Sequence, residues 1–425
     1  MQIHTVRRGE SVWQLARQYG VSVEALAGVN GLENPNRLVI GQALIIPTSA
    51  GSHTVLPGET LWSISQRYGA TLQELAIVNG LSNPALIYPG QIIRIPQPVK
   101  PVIEVNAYTE KFGEQGVAIT NEIAPYLTYI SPFSYRVQPD GSLSALDDTA
   151  VIQAAYGQKA APMMVITNFE EDNFSTAIAH AVLTNQAVQN QLVANIIGTM
   201  RYKGYMALHV DFEYVAPAER ELYNRFLQRL VYTLHPYGYL VSTALAPKLT
   251  ADQQGTLYEA HDYAAHGRIV DFVILMTYEW GWSGGPPLAV APLNEVVKVL
   301  QYALSVIPAD KIVMGMPLYG YDWTLPYAKG NKWAPSISPQ EAVAQAAKYG
   351  AEIHYDPESQ SPYYHYYDEQ GHEHVVWYED ARSVQAKLNI VKLFNLRGVS
   401  YWVLGVPFPQ NWYVLKENFR IKKLL

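Results

Sequence analysis

From about residue 103 onward, short apolar runs alternate with longer stretches in which apolar positions recur every three or four residues. The short runs predict strands over Ile103–Tyr108, Tyr126–Ser131, Met163–Thr167, Tyr205–Phe212, Leu240–Ala246, Val270–Thr277, Lys311–Pro317 and Gly398–Val403. Between most of them lie amphipathic stretches of helical period, such as Thr176–Lys203, Ala218–His235 and Leu293–Ser305. Eight β/α units in about 320 residues predict an α/β chain closed into a (β/α)8 barrel, with catalytic residues at the carboxyl ends of its strands. The connection from the seventh strand to the eighth is too long for one helix. It carries Tyr363-Tyr364-His365-Tyr366-Tyr367, a turn at Asp368–Gly371, and His374-Val375-Val376-Trp377-Tyr378, which together read as a hairpin. That inserted hairpin is expected to wall one side of the cleft.

The first hundred residues follow a different pattern. His4-Thr5-Val6-Arg7-Arg8-Gly9-Glu10-Ser11-Val12-Trp13 recurs as His53-Thr54-Val55-Leu56-Pro57-Gly58-Glu59-Thr60-Leu61-Trp62, an offset of 49. The same offset carries Tyr19 to Tyr68, Asn30-Gly31 to Asn79-Gly80, Gly41-Gln42 to Gly90-Gln91 and Ile46-Pro47 to Ile95-Pro96. A fixed period punctuated by Gly, Asn and Pro means two copies of one small unit, each reading as strand, helix, helix, strand. Ser11 and Thr60 are the expected caps of the first helix of each copy. The repeats resemble LysM domains, which bind glycans containing N-acetylglucosamine. By that resemblance the sugar groove lies between the loops 9–12 and 38–41, and between 58–61 and 87–90. Gly9, Ser11, Val12, Ile40, Gly58, Thr60, Leu61 and Pro89 are its candidate contacts. Trp13 and Trp62 are expected on the buried helix face. The organisation read from the sequence is thus a LysM repeat at 2–47, another at 52–96, a Pro-rich linker at 97–102 and a TIM barrel with a small α+β insertion at 103–425.

Composition narrows the partners. A net charge of −7 and a pI near 5.9 argue against nucleic acid, and no apolar run is long enough for a membrane span. The start lacks an apolar signal segment, so no signal peptide is expected. Zero Cys rules out disulfides and thiolate metal sites, and the 11 His show no zinc-site spacing, so no metal or cofactor is expected. The abundance of Tyr (31) and Trp (9) suits stacking on sugars and a large aromatic core alike. Self-association has no visible signal, and a monomer is expected.

Candidate chemistry sits on the fourth strand, Tyr205-Met206-Ala207-Leu208-His209-Val210-Asp211-Phe212-Glu213-Tyr214. Side chains alternate along a strand, so Leu208, Val210 and Phe212 share one face while His209, Asp211 and Glu213 share the other. Two acids at i, i+2 lie about 6–7 Å apart, close enough for one to raise the pKa of the other and keep it protonated. The stretch resembles the catalytic strand of family-18 glycoside hydrolases, Asp-x-x-Asp-x-Asp-x-Glu. Glu213 matches the acid and Asp211 the preceding Asp, while His209 and Met206 stand where the family has its other two. Met276-Thr277-Tyr278-Glu279-Trp280 resembles the family's Met-x-Tyr-Asp with Glu for Asp. Trp402 matches the Trp under the central sugar, and Gly315-Met316-Pro317-Leu318-Tyr319-Gly320 is also family-like. On the third strand Ile166-Thr167-Asn168-Phe169 replaces the usual Ser-x-Gly-Gly, which sets the cleft apart from that of ordinary chitinases.

The resemblance implies hydrolysis with retention, assisted by the substrate's own acetamido group. Glu213, Asp211 and Tyr278 are the implied catalytic residues, and His209, Met276, Glu279, Trp402, Tyr319 and Asn168 the implied substrate contacts. His209 is expected to hydrogen-bond Asp211 and so to shape the pH profile. LysM repeats joined to such a barrel resemble the spore cortex-fragment-lytic N-acetylglucosaminidases of endospore-forming bacilli. That implies a peptidoglycan or cortex substrate and a location at the spore surface or cell wall, reached from the mother-cell cytoplasm. A chitinase and a non-catalytic wall lectin or coat protein are the alternatives. The retained Glu213 and Asp211 speak against the lectin.

Overall fold

The computed structural model describes residues 1–47, 51–96 and 99–425. The expected Pro-rich linker at 97–102 falls partly outside them. Eight parallel strands form a closed ring: β1 (Val102–Thr109), β2 (Tyr129–Pro132), β3 (Ala161–Thr167), β4 (Ala207–Asp211), β5 (Leu240–Leu245), β6 (Phe272–Leu275), β7 (Ile312–Pro317) and β8 (Gly398–Leu404). Each strand pairs with its chain neighbours, and β8 closes on β1 with Ser400 opposite Asn106. Strand ends moved by a few residues from the pattern-based expectation. Tyr126, expected to open β2, instead closes a 3-10 turn, Ala124–Tyr126, around Pro125. The long helix expected over 176–203 is two, Thr176–Thr184 and Gln186–Lys203. Asn185 breaks it by turning its side chain onto the N–H groups of Ala187 and Val188.

β4 illustrates how the sequence builds the barrel. Leu208, Val210 and Phe212 pack outward into the main apolar core, where Phe212 stacks between Tyr223 and Phe226 of the helix Arg220–Leu234. His209 and Asp211 point inward, as alternation demands. The insertion between β7 and β8 is a five-stranded antiparallel sheet backed by the helix Pro339–Tyr349. The expected hairpin forms, with Tyr366 opposite His374. Among the described residues none of this sheet lines the catalytic cleft, contrary to expectation. The insertion touches the cleft only through Glu279, and its other face meets the first repeat.

In each repeat one antiparallel strand pair holds two short helices, Val12–Tyr19 and Val23–Asn30, then Leu61–Tyr68 and Leu72–Val78. Ser11 and Thr60 cap the first helices in full capping boxes. His4 spans Tyr19 (2.9 Å) and Glu10 (2.7 Å), and His53 spans Tyr68 (3.0 Å) and Glu59 (2.6 Å), so much of the shared pattern is internal wiring. Trp13 and Trp62 overturn the sequence reading. They are 61% and 63% exposed. The buried stripe is Val12, Leu15 and Ala16, and the next residue around a helix is turned about 100° from the first.

The first repeat is seated on the barrel. Gln410 Nε2 donates to Asn30 Oδ1 and to the Ala43 carbonyl, each at 2.8 Å, and Gln340 Nε2 to the Gly31 carbonyl at 2.9 Å. The Ile353 N–H donates to the Ile40 carbonyl at 2.9 Å. Ile45 belongs to the barrel's main core and Val39 to that of the insertion. The second repeat makes no hydrogen bond to the barrel among the described residues.

Candidate functional site

An open cleft of about 400 Å³ lies at the carboxyl ends of the strands, with Tyr108, Phe133, Asp211, Glu213, Tyr278 and Trp402 around it. Met276 and Glu279 also line it. Trp402 reaches it because β8 carries one extra residue there: Tyr401 pairs with Ala107 and Leu404 with Thr109. The indole then stands edge-on to Tyr108 (5.3 Å) and Phe133 (4.7 Å). Tyr278 depends on Gly315 of β7. A Cβ at that position would stand 2.8 Å from the Tyr278 ring and 2.5 Å from the Leu275 carbonyl oxygen, so only glycine leaves the ring its seat.

Asp211 is buried, and its Oδ1 has no hydrogen-bond partner among the described residues. Burial, then the Asp211 charge, pushes the Glu213 carboxyl well above the usual carboxylate range, and burial raises Asp211 as well. Such a pair holds a proton at neutral pH and presents it to the cleft. Burial, then the two carboxylates, holds the Tyr278 phenol protonated and so a hydrogen-bond donor.

Glu213 stands two residues beyond the end of β4, where the chain turns sharply and Tyr214 takes a φ of 53°. Asn168 fixes this turn. Its Nδ2 donates to the Glu213 carbonyl (2.7 Å), and its Oδ1 accepts from the Glu213 N–H (3.0 Å). His261 sits 3.0 Å from the Phe212 carbonyl oxygen and accepts from the Ala246 N–H at 2.8 Å. Asn168 is therefore a positioning residue rather than a substrate contact. Asn168→Ala is expected to lower kcat by about 10²-fold while KM changes little, since small displacements of a catalytic group carry that cost. Steady-state kinetics beside a melting curve checks it.

Two further expected contacts are also corrected. Tyr319 does not line the cleft. It and Tyr321 donate hydrogen bonds to Glu279, which orients that carboxylate. His209 is fully buried below the cleft and does not bond Asp211. Its Nε2 is 2.9 Å from Tyr108 Oη and its Nδ1 2.8 Å from Ser242 Oγ, so both nitrogens are occupied. Burial lowers its pKa to about 3, so it is neutral wherever the enzyme is folded and working. His209→Asn is therefore expected to leave the pH–rate profile between about pH 5 and about pH 8 in place. The linkage sign concerns stability instead. Below the ordinary 6.5 the unfolded state takes up a proton that the native state refuses until about 3. Stability is therefore lost as pH falls through that window, and the variant should lose less of it in acid melting curves.

In the repeats, Val12 and Leu61 send their side chains into the repeat cores, out of a ligand's reach, and the Ile40 carbonyl is taken by Ile353. Gly9 and Gly58 share a φ of 84°, and Pro89 is exposed. Sequence reasoning missed Tyr108, Glu110, Phe133 and Arg136, which also line the cleft. All four follow or end β1 and β2, and the rule that barrel sites gather at strand ends was the available signal.

The profile of glycosyl hydrolases family 18 matches residues 119–406, and that of the LysM domain matches 4–47 and 53–96. The chain is similar to the cortical fragment-lytic enzyme of Bacillus subtilis (strain 168), at 51% identity over 100% of this chain and 99% of that protein. Its structure is similar to that of the Bacillus megaterium QM B1551 spore cortex-lytic enzyme SleL, at a TM-score of 0.90, 43% identity, and coverage of 100% and 99% of the two chains. A chitinase from Chromobacterium violaceum matches at a TM-score of 0.69 and 28% identity, over 74% of this chain and 98% of that one.

Proposed function

The chain belongs to glycosyl hydrolase family 18, and from that footing we propose that it cleaves spore-cortex peptidoglycan fragments after N-acetylglucosamine, with retention. The observation that carries the reading is the buried, unpartnered Asp211 Oδ1 beside Glu213. Glu213 protonates the glycosidic oxygen. The acetamido carbonyl of the sugar on the non-reducing side attacks its own anomeric carbon, giving an oxazolinium ion. Asp211 accepts the acetamido N–H and stabilises the positive charge, while the Tyr278 hydroxyl steers the acetamido oxygen. Glu213 then takes a proton from the attacking water. This is the substrate-assisted exception to the two-carboxylate schemes.

The LysM repeats are the wall-holding part in this reading, and two copies would add avidity on a polymer. They support association with the spore or wall. Muramic lactam, common in cortex, has lost its acetyl group and cannot supply the nucleophile, whereas N-acetylglucosamine always can. Mass spectrometry of digested cortex fragments is expected to find N-acetylglucosamine at the new reducing ends, and its thiazoline analogue is expected to inhibit competitively. Muramic acid or its lactam at those ends would overturn the mechanism.

A further inference from the structure

The peptide that joins Phe212 to Glu213 is held at both of its polar ends. Its N–H, on Glu213, donates to Asn168 Oδ1 at 3.0 Å. Its carbonyl, on Phe212, stands 3.0 Å from His261 Nε2. Asn168 follows β3 and His261 lies in the loop after β5, so the two side chains close in from either side of the end of β4. The partners also fix the tautomer of His261. The Ala246 N–H at 2.8 Å from Nδ1 can only donate, so the ring proton sits on Nε2 and points at the Phe212 carbonyl. The ring is buried against Tyr223 and His266, and burial lowers its pKa to about 4, which keeps it neutral. Its seat is held in turn. Tyr263 Oη donates to the Ala246 carbonyl at 2.6 Å, and Lys248 Nζ to the His261 carbonyl at 3.2 Å. His261 itself does not line the cleft.

We propose that His261 is a positioning residue for Glu213, the second jaw of a clamp whose first jaw is Asn168. The inference rests on the reading of Glu213 as the proton donor. The ladder between β3 and β4 ends at Asp211, so no strand pairing fixes the backbone from which Glu213 projects. Asn168 holds the N–H and the carbonyl of Glu213, but the peptide before it stays in one orientation only when the Phe212 carbonyl is held as well. Letting that peptide rock swings the carboxyl away from the glycosidic oxygen it must protonate, and small displacements of a catalytic group are costly.

The test uses the full chain and two variants that each keep a different half of the ring's bonding. Glutamine can place an N–H where Nε2 stands and keep the Phe212 bond, whereas asparagine can place an oxygen where Nδ1 stands and keep only the Ala246 bond. Two substrates separate misplacement of the acid from general damage. Cortex fragments have a sugar leaving group that needs the proton of Glu213. A dinitrophenyl glycoside of the muramic–N-acetylglucosamine disaccharide has an aglycone that departs without one. His261→Asn should lower kcat/KM on cortex fragments by about 10–100-fold while the aryl glycoside loses little, and His261→Gln should recover most of the loss. The ratio of the two substrates does not depend on how much enzyme stays folded, so a merely structural role would leave it unmoved. Equal losses on both substrates, or a Gln variant no better than Asn on cortex fragments, would overturn the inference and leave the glycosidase reading standing. A wild type that cleaves neither substrate would overturn that reading, and this inference with it.

Discussion

Glu213→Gln is expected to lower turnover by roughly 10²–10⁴-fold, because the amide keeps the shape of the acid but has no proton to donate. The same substitution should stabilise the fold at neutral pH. A raised carboxyl pKa means that the native state keeps a proton which the unfolded chain releases once pH passes the ordinary 4.5. The native state is thus favoured below that value and loses the advantage as pH rises through the folded pKa. Glutamine does not titrate, so its melting temperature relative to wild type should be higher at about pH 7 than at about pH 4. Together the two readouts separate a lost acid from a broken fold. Near-normal turnover by the folded variant would remove Glu213 from the mechanism.

What the sequence revealed depends on the range of the interactions concerned. Alternation along β4 was enough to put Leu208, Val210 and Phe212 against helices and Asp211 toward the cleft, because strand periodicity is local. The same logic misassigned His209. Its face was right, but its partners, Tyr108 and Ser242, come from β1 and β5 and are invisible to spacing. Asn168 was visible only as a departure from a pattern, and its bonds to the Glu213 peptide depend on how β3 and β4 end side by side. Tyr319 failed for a related reason: a residue next to a cleft in sequence can serve it through a neighbour, here Glu279. The seat of the first repeat could not be read at all. Asn30, Gly31 and Gly41 have identical counterparts in Asn79, Gly80 and Gly90, so nothing local says which copy the barrel holds.

That seat changes what a truncation should do. The Pro-rich linker suggests a barrel that is indifferent to losing residues 1–97. Instead, the 103–425 segment is expected to melt roughly 5 °C or more below the full chain, since removal uncovers the apolar surface that receives Ile45 and Val39. It also strips Gln410, Gln340 and Arg382 of their carbonyl partners on the repeat. A matched pair of glycines isolates the contact from the covalent cut. Gly41 and Gly90 have φ values of 84° and 85°, so alanine is equally strained at either. Only at Gly41 would the new Cβ run into the barrel, against the Ile353 carbonyl, whereas nothing lies within 4 Å of one at Gly90. Gly41→Ala should therefore lower the melting temperature of the barrel and expose the 30–43 region to protease. Gly90→Ala should leave the barrel transition in place and cost only about 1 kcal/mol within the second repeat. Identical barrel melting in both variants, together with a truncated segment as stable as the full chain, would mean that the first repeat rests on the barrel without supporting it.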